Sequence, residues 1–211
     1  MRNSAKTFFT EEELKRIGEA TRAVERHTIG EIAVMVVDSS DEYREAAVSG
    51  GVILAALSAF SLTEIFFDQA ITFFMPLCIL LFFPFRSLFN IIPALKTAFI
   101  SRARKEEAVR ERAVRAFFEK GLYRTKANTG VLFFLSLLER KVWVLADRGI
   151  CEKIDQKTLN TFAQTVSQGI KEGRACDALC SAISGAGKVL AQHFPIAHGD
   201  TNELPNTVIT E

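Results

Sequence analysis

The feature that most constrains this chain is a pair of apolar stretches set in the middle of an otherwise charged sequence. Ala46 to Thr63 carries no charged residue, and after Glu64 and Asp68 neither does Gln69 to Phe85. Each approaches the roughly 20 apolar residues with which a helix spans a bilayer. Ten of the 18 Phe lie between Phe60 and Phe99, so the same region is loaded with lipid-compatible side chains. The competing reading is a core hairpin of a water-soluble protein. Such a hairpin keeps a polar face, and these stretches lack one, whereas the other helical segments have it. The expectation is a transmembrane hairpin over 46–95, its second helix kinked at Pro76 and Pro84.

Lys and Arg near the membrane ends give the orientation. The link Glu64–Asp68 has two acids and no base. The upstream flank carries Arg44, and the downstream flank carries Arg86, Lys96, Arg102, Arg104 and Lys105. The positive-inside tendency then places both flanks in the cytoplasm, giving a two-pass inner-membrane protein with both termini cytoplasmic. Met1 to Thr10 is short and polar, so the first apolar stretch is expected to be the insertion signal. Lys and Arg number 26 against 25 Asp and Glu, and that balance selects no partner. The charge is instead uneven: Lys96 to Lys126 holds ten basic residues against four acids. Its near half suits an anionic leaflet. The interleaved acids and helical apolar spacing argue against a nucleic-acid surface, so the expected partners are the bilayer and a membrane protein or a second copy.

Outside the hairpin the pattern is that of an α/β domain. Thr10-Glu11-Glu12-Glu13 reads as a capping box, with Phe9 and Leu14 at the staple positions. Leu14, Ile17, Thr21 and Val24 line one face of the helix that follows. Glu31 to Asp38 is a strand buried on both faces. Lys96 to Gly121 reads as one long amphipathic helix. Gly130 to Leu138 and Lys141 to Asp147 read as two strands joined by a polar Glu139-Arg140 turn, an antiparallel hairpin. Leu159, Phe162, Val166 and Ile170 mark another helix, and Asp177 to Gln192 a last one. The expected fold is an α/β/α sandwich with a small mixed sheet. Its discontinuous domain takes residues 1–45 and 96–195, and 196–211 form a flexible tail.

The strand motifs have a family likeness. Thr129-Gly130-Val131-Leu132, Leu137-Leu138-Glu139-Arg140-Lys141-Val142 and Ala146-Asp147-Arg148-Gly149-Ile150 resemble the core of the TPM domain. Thr28-Ile29-Gly30-Glu31-Ile32-Ala33-Val34 is similar to that family's first strand, and Ala191-Gln192-His193-Phe194-Pro195 to the close of its bacterial membrane-protein branch. The resemblance covers about Phe8 to Pro195 outside the hairpin. It implies a Rossmann-like α/β/α domain. Some plant thylakoid members are described as acid phosphatases connected with photosystem repair, and some members bind divalent metal. Where the common pattern has a Gly-aromatic-Gly turn after the third strand, this chain has Asp147-Arg148-Gly149.

Candidate chemistry rests on acids beyond strand ends, where open α/β sheets place ligands. Asp38 ends the first strand, with Asp41 and Glu42 behind it; Asp147 ends the third, followed by Glu152 and Asp155. If those strands are parallel neighbours, Asp38, Asp147 and Asp155 converge on a Ca²⁺ or Mg²⁺ site able to polarise a phosphoryl group. In the other reading Asp155 is a helix N-cap and Asp38 and Asp41 are solvated connector residues. Arg124, Arg140 and Arg148 form a candidate anion site, since the planar guanidinium matches phosphate. His27, His193 and His198 have no metal-ligand spacing, and no nucleophile elbow or phosphate-binding GxxxxGK[ST] is present. Cys78, Cys151, Cys176 and Cys180 suit free thiols in a reducing compartment. The expected function is an accessory or interaction module in membrane-protein assembly or maintenance, with a metal-dependent phosphatase as the alternative.

Overall fold

The computed structural model of the chain describes residues 4–66, 71–196 and 206–211. In chain order the elements are α1 (Glu11–Glu25), β1 (Glu31–Val37), α2 (Arg44–Phe66), α3 (Ile71–Ile91), α4 (Pro93–Lys96), α5 (Arg102–Glu119), β2 (Gly130–Ser136), β3 (Lys141–Ala146), α6 (Arg148–Cys151), α7 (Gln156–Lys171), α8 (Ala175–His193) and β4 (Ile209–Thr210). They fall into two units, one of residues 1–40 with 106–211 and one of residues 41–105.

The first unit is built on a sheet of order β3-β2-β1-β4. β1 pairs parallel with β2 along its whole length, from Glu31 against Gly130 to Val37 against Ser136. β2 and β3 pair antiparallel, so the expected hairpin forms. Every residue of β1 and β2 is buried, as their unbroken apolar runs require. Alternation then assigns two cores. Ile32, Val34, Val36, Val131, Phe133 and Leu135 face a layer of α1, α7 and α8. Ala33, Met35, Leu132 and Phe134 face Val109, Ala113 and Phe117 of α5. The result is the expected α/β/α sandwich with a small mixed sheet.

Helix starts follow the local chemistry. Thr10 and Glu13 close a full capping box on α1. Asp155 caps α7 by accepting from the Thr158 amide at 2.8 Å. Gly187 of α8 lets Val24 of α1 approach, since a Cβ there would lie 2.4 Å from the Val24 side chain.

Three expectations change. The helix expected over Lys96–Gly121 is broken: a short turn at Thr97–Phe99 and an extended Ile100 precede α5. Ser101 is the reason, because its hydroxyl accepts from the Arg104 amide at 3.2 Å and starts a new helix. The tail expected over 196–211 is not wholly loose. Its residues 197–205 lie outside the described ones, but Ile209–Thr210 add a parallel edge strand against Met35 and Val36. Third, the short α6 appears just after β3 where no helix was expected, started by Asp147.

In the second unit α2 and α3 pack antiparallel, Gly50 lying against the Phe89 ring and Gly51 against the Arg86 backbone. The buried face of α2 is a stripe of small residues that includes Ala47, Gly51, Ala55 and Ala59, which allows close helix approach. Much of the outer surface is apolar: Leu57, Phe60, Met75, Ile79, Leu80 and Phe83 are all exposed. Both helices are long and apolar enough to cross a membrane. Residues 67–70 of the expected link lie outside the described ones. The open end of this unit is cross-tied. Lys96 Nζ donates to the Glu42 carbonyl at 2.7 Å, and Arg104 pairs with Asp41 and, at 3.4 Å, with Glu45. The Arg104 guanidinium also lies 5.7 Å above the ring of fully buried Tyr43.

Candidate functional site

Because β1 and β2 run parallel, their carboxyl ends share one end of the sheet, the usual ligand position in such folds. A buried polar cluster sits there. Ser136, the last residue of β2, is 2% exposed and donates its hydroxyl proton to Glu139 Oε2. The other carboxylate oxygen, Oε1, accepts the Ser40 amide at 3.1 Å. The Ser40 hydroxyl donates to Ser136 Oγ at 2.8 Å. Glu139 itself is only 7% exposed. A buried carboxylate needs such donors, and these ones tie the segment leaving β1 to the β2–β3 turn. Backbone bonds from Leu137 to Val37 and from Leu138 to Asp38 reinforce the tie. Chemically, the chain of two hydroxyls ending on a carboxylate supplies donors to a buried charge. Asp38 stands beside it, accepting from the Ala5 amide, and Arg140 turns the hairpin with a positive φ of 52°.

Sequence reasoning missed Ser40, Ser136 and Glu139. The available signal was Ser136, a lone hydroxyl closing the apolar run Gly130–Ser136. Glu139 read as a solvated turn residue, and only the tertiary fold buries it.

The expected metal site is not assembled. β3 is antiparallel to β2 and is not a neighbour of β1. Asp147 therefore sits at the opposite end of the sheet from Asp38, about 20 Å away across a seven-residue strand. Asp147 and Asp155 are both helix caps. Asp147 Oδ1 accepts from the Arg148 amide at 2.7 Å, and the bonds from Thr158 hold the Asp155 carboxyl below its usual range. Among the described residues no group of three His, Cys, Asp or Glu is placed to hold an ion. The expected anion trio divides in the same way. Arg140 lies at the Asp38 end of the sheet and Arg148 at the Asp147 end. Arg148 pairs with Glu152 at 3.0 Å, and Arg124 rests on the ring of Tyr123 and donates to its hydroxyl.

At the amino end of β1 a second acid is unusual. Glu25 is half-buried, its Oε1 accepting from the Ile32 amide at 3.2 Å and its Oε2 from the Asn206 side chain. Burial, with nearby Glu31 adding like charge, pushes its carboxyl up to about 7. Burial also damps two thiols of α8: it pushes Cys176 up to about 12, and its neighbour Cys180 is also raised.

A family model of the TPM domain matches residues 95–189, which hold α5, β2, β3, α6, α7 and most of α8. This segment is similar to the TPM domain. The matched segment does not make the sheet alone, since β1 and β4 come from outside it and supply the strand beside β2 and the far edge. A solved structure is also similar: the NMR structure of BA42 protein from the psychrophilic bacterium Bizionia argentinensis, at a TM-score of 0.61 and 22% identity. That likeness covers 97% of this chain and 96% of the other, and it is a likeness of fold. No curated protein sequence matches the chain.

Proposed function

We propose that this chain is a two-pass inner-membrane protein whose TPM domain lies in the cytoplasm and serves as an interaction module in the assembly or maintenance of membrane proteins. One observation carries the reading: only 6% of the apolar span Thr72–Ile91 is buried within the protein. Water does not tolerate an exposed apolar face of that size, and lipid or a partner must cover it. The small-residue stripe of α2 is the packing habit of helices in lipid. The basic flanks, from Arg86 to Lys105, favour the cytoplasmic side. An interaction role suits the domain because Asp38 and Asp147, which a metal-dependent phosphatase would gather, sit at separate ends of the sheet.

The test begins with detergent-free lysis and ultracentrifugation of cells expressing the full chain. The protein is expected in the pellet, resistant to salt and released by detergent. In intact spheroplasts the exposed Cys151 is expected to be shielded from an impermeant maleimide. Folded, monodisperse protein in the supernatant would refute the anchoring. Cross-linking in cells is then expected to recover a membrane protein. The released protein is expected to melt at the same temperature with and without millimolar Ca²⁺ or Mg²⁺. A clear rise, together with hydrolysis of a phosphomonoester, would restore the phosphatase.

A further inference from the structure

The outer edge of β1 is covered piecemeal. Near its start the Ile32 amide is capped by the side chain of Glu25, not by a strand. Near its end the cover is β4, only two residues long, where ordinary strands run to about five or six. An edge of this kind is a template for another chain unless it is covered.

The segment that covers it is held like a docked peptide. Its backbone joins the edge where the Glu211 amide donates to the Val36 carbonyl and the Asp38 amide to the Glu211 carbonyl, both at 3.0 Å. Successive side chains go to opposite faces: Val208 packs on the core shared with α1 and α8, and Ile209 on the core shared with α5. The Glu211 carboxylate lands between two cations, Arg112 of α5 and, at 2.7 Å, Lys120 just beyond its end. Backbone ladder, alternate apolar pockets and a charge clamp are the three parts of a strand-addition site. All of them lie within the first unit.

We propose that the β1 edge, with the Arg112–Lys120 pair, is a docking site for an extended segment of a partner protein that offers two apolar side chains on opposite faces followed by an acid, and that residues 206–211 occupy it in cis as a displaceable stand-in. A longer strand replaces the short one because it adds ladder bonds toward Ile32, where a side chain now serves. This names the partner chemistry of the interaction module and rests on that reading for the partner's setting, but not for the binding itself.

The test uses the full chain in detergent micelles and a fluorescent peptide of the sequence Asn206–Glu211, read by anisotropy. Glu211→Lys removes the cis clamp and leaves the receiving surface intact. It is expected to bind the peptide about tenfold or more tighter than the wild type, which keeps its tethered competitor. Adding Arg112→Glu and Lys120→Glu is expected to abolish binding. A Glu211→Lys protein that melts like the wild type yet binds no tighter overturns the proposal. Hydrogen exchange on the wild type decides the matter if that variant does not fold. The Glu211 and Asp38 amides are expected to exchange about a hundredfold faster than those of Leu132 to Leu135, and equal rates overturn the proposal. A wild-type dimer that Glu211→Lys dissociates would make the occupant a second copy and overturn the assignment to a partner protein. Peptide binding without a recovered membrane protein would keep the docking edge and remove the assembly role.

Discussion

Replacing Glu25 by Gln should make the domain more stable in mild alkali and leave it unchanged in mild acid. The carboxyl of Glu25 titrates near 7 in the folded protein against an ordinary 4.5, chiefly because burial disfavours its charge. Bonds from Ile32 and Asn206 offset this only in part. A carboxyl whose folded value is raised holds its proton more tightly in the folded state. Its contribution to stability is therefore greatest below about pH 4.5 and is lost as pH rises through about 7. A tenfold change in proton affinity is worth 1.36 kcal/mol, so the rise from 4.5 to about 7 sets a ceiling of about 3.4 kcal/mol. Partial solvent access screens the site, which lowers the working figure to about 2 kcal/mol. Gln keeps the shape and an acceptor for the Ile32 amide, and the Asn206 amide can turn to accept from its NH₂. Trp143, the only Trp, lies on β3 in the same unit and reports unfolding by fluorescence. At about pH 8.5 the Gln variant should melt roughly 4–8 °C higher than the wild type, and the two should coincide near pH 4.5. A difference that does not change with pH, or a Gln variant less stable in alkali, would refute the reasoning.

Gly50→Leu should disrupt the hairpin, since even a Cβ there would sit 2.3 Å from the Phe89 ring, itself only 1% exposed. The overpacking should cost about 1–3 kcal/mol, read as faster proteolysis of α2 and α3 in micelles, with Trp143 unfolding unchanged. Ser136→Ala should destabilise the first unit by about 1–3 kcal/mol, because it leaves Glu139 short of a donor in a buried site. Ser40→Ala, whose hydroxyl donates to Ser136 and not to the carboxylate, should cost less in the same denaturation assay.

The parts of the fold set by local pattern were legible. The capping box at Thr10 and Glu13 needs only four adjacent residues, and the buried strands announce themselves as apolar runs. The antiparallel β2–β3 pairing follows from a short connection. What was not legible depends on partners distant in sequence. β1 finds β2 some 90 residues on, and the apolar pattern of β1 does not say which strand lies beside it. That unknown decided the site, because a parallel β3 beside β1 would have brought Asp38 and Asp147 together. β4 was illegible for another reason: Ile209 and Thr210 have no periodicity to read, and their pairing is made by the edge they meet. Glu139 and Glu25 show the same limit. Each is a charged residue whose burial, full for Glu139 and partial for Glu25, comes only from neighbours folded against it.

The parallel pairing of β1 also sets a timetable for synthesis. Val37 leaves the ribosome about 90 residues before Gly130, an interval of roughly 5–20 s at ordinary translation rates. Throughout it β1 is a seven-residue greasy ribbon with neither neighbour yet made. A nascent chain of this design calls for a chaperone to shelter that ribbon, and premature termination between Val37 and Ser136 yields a product prone to aggregate.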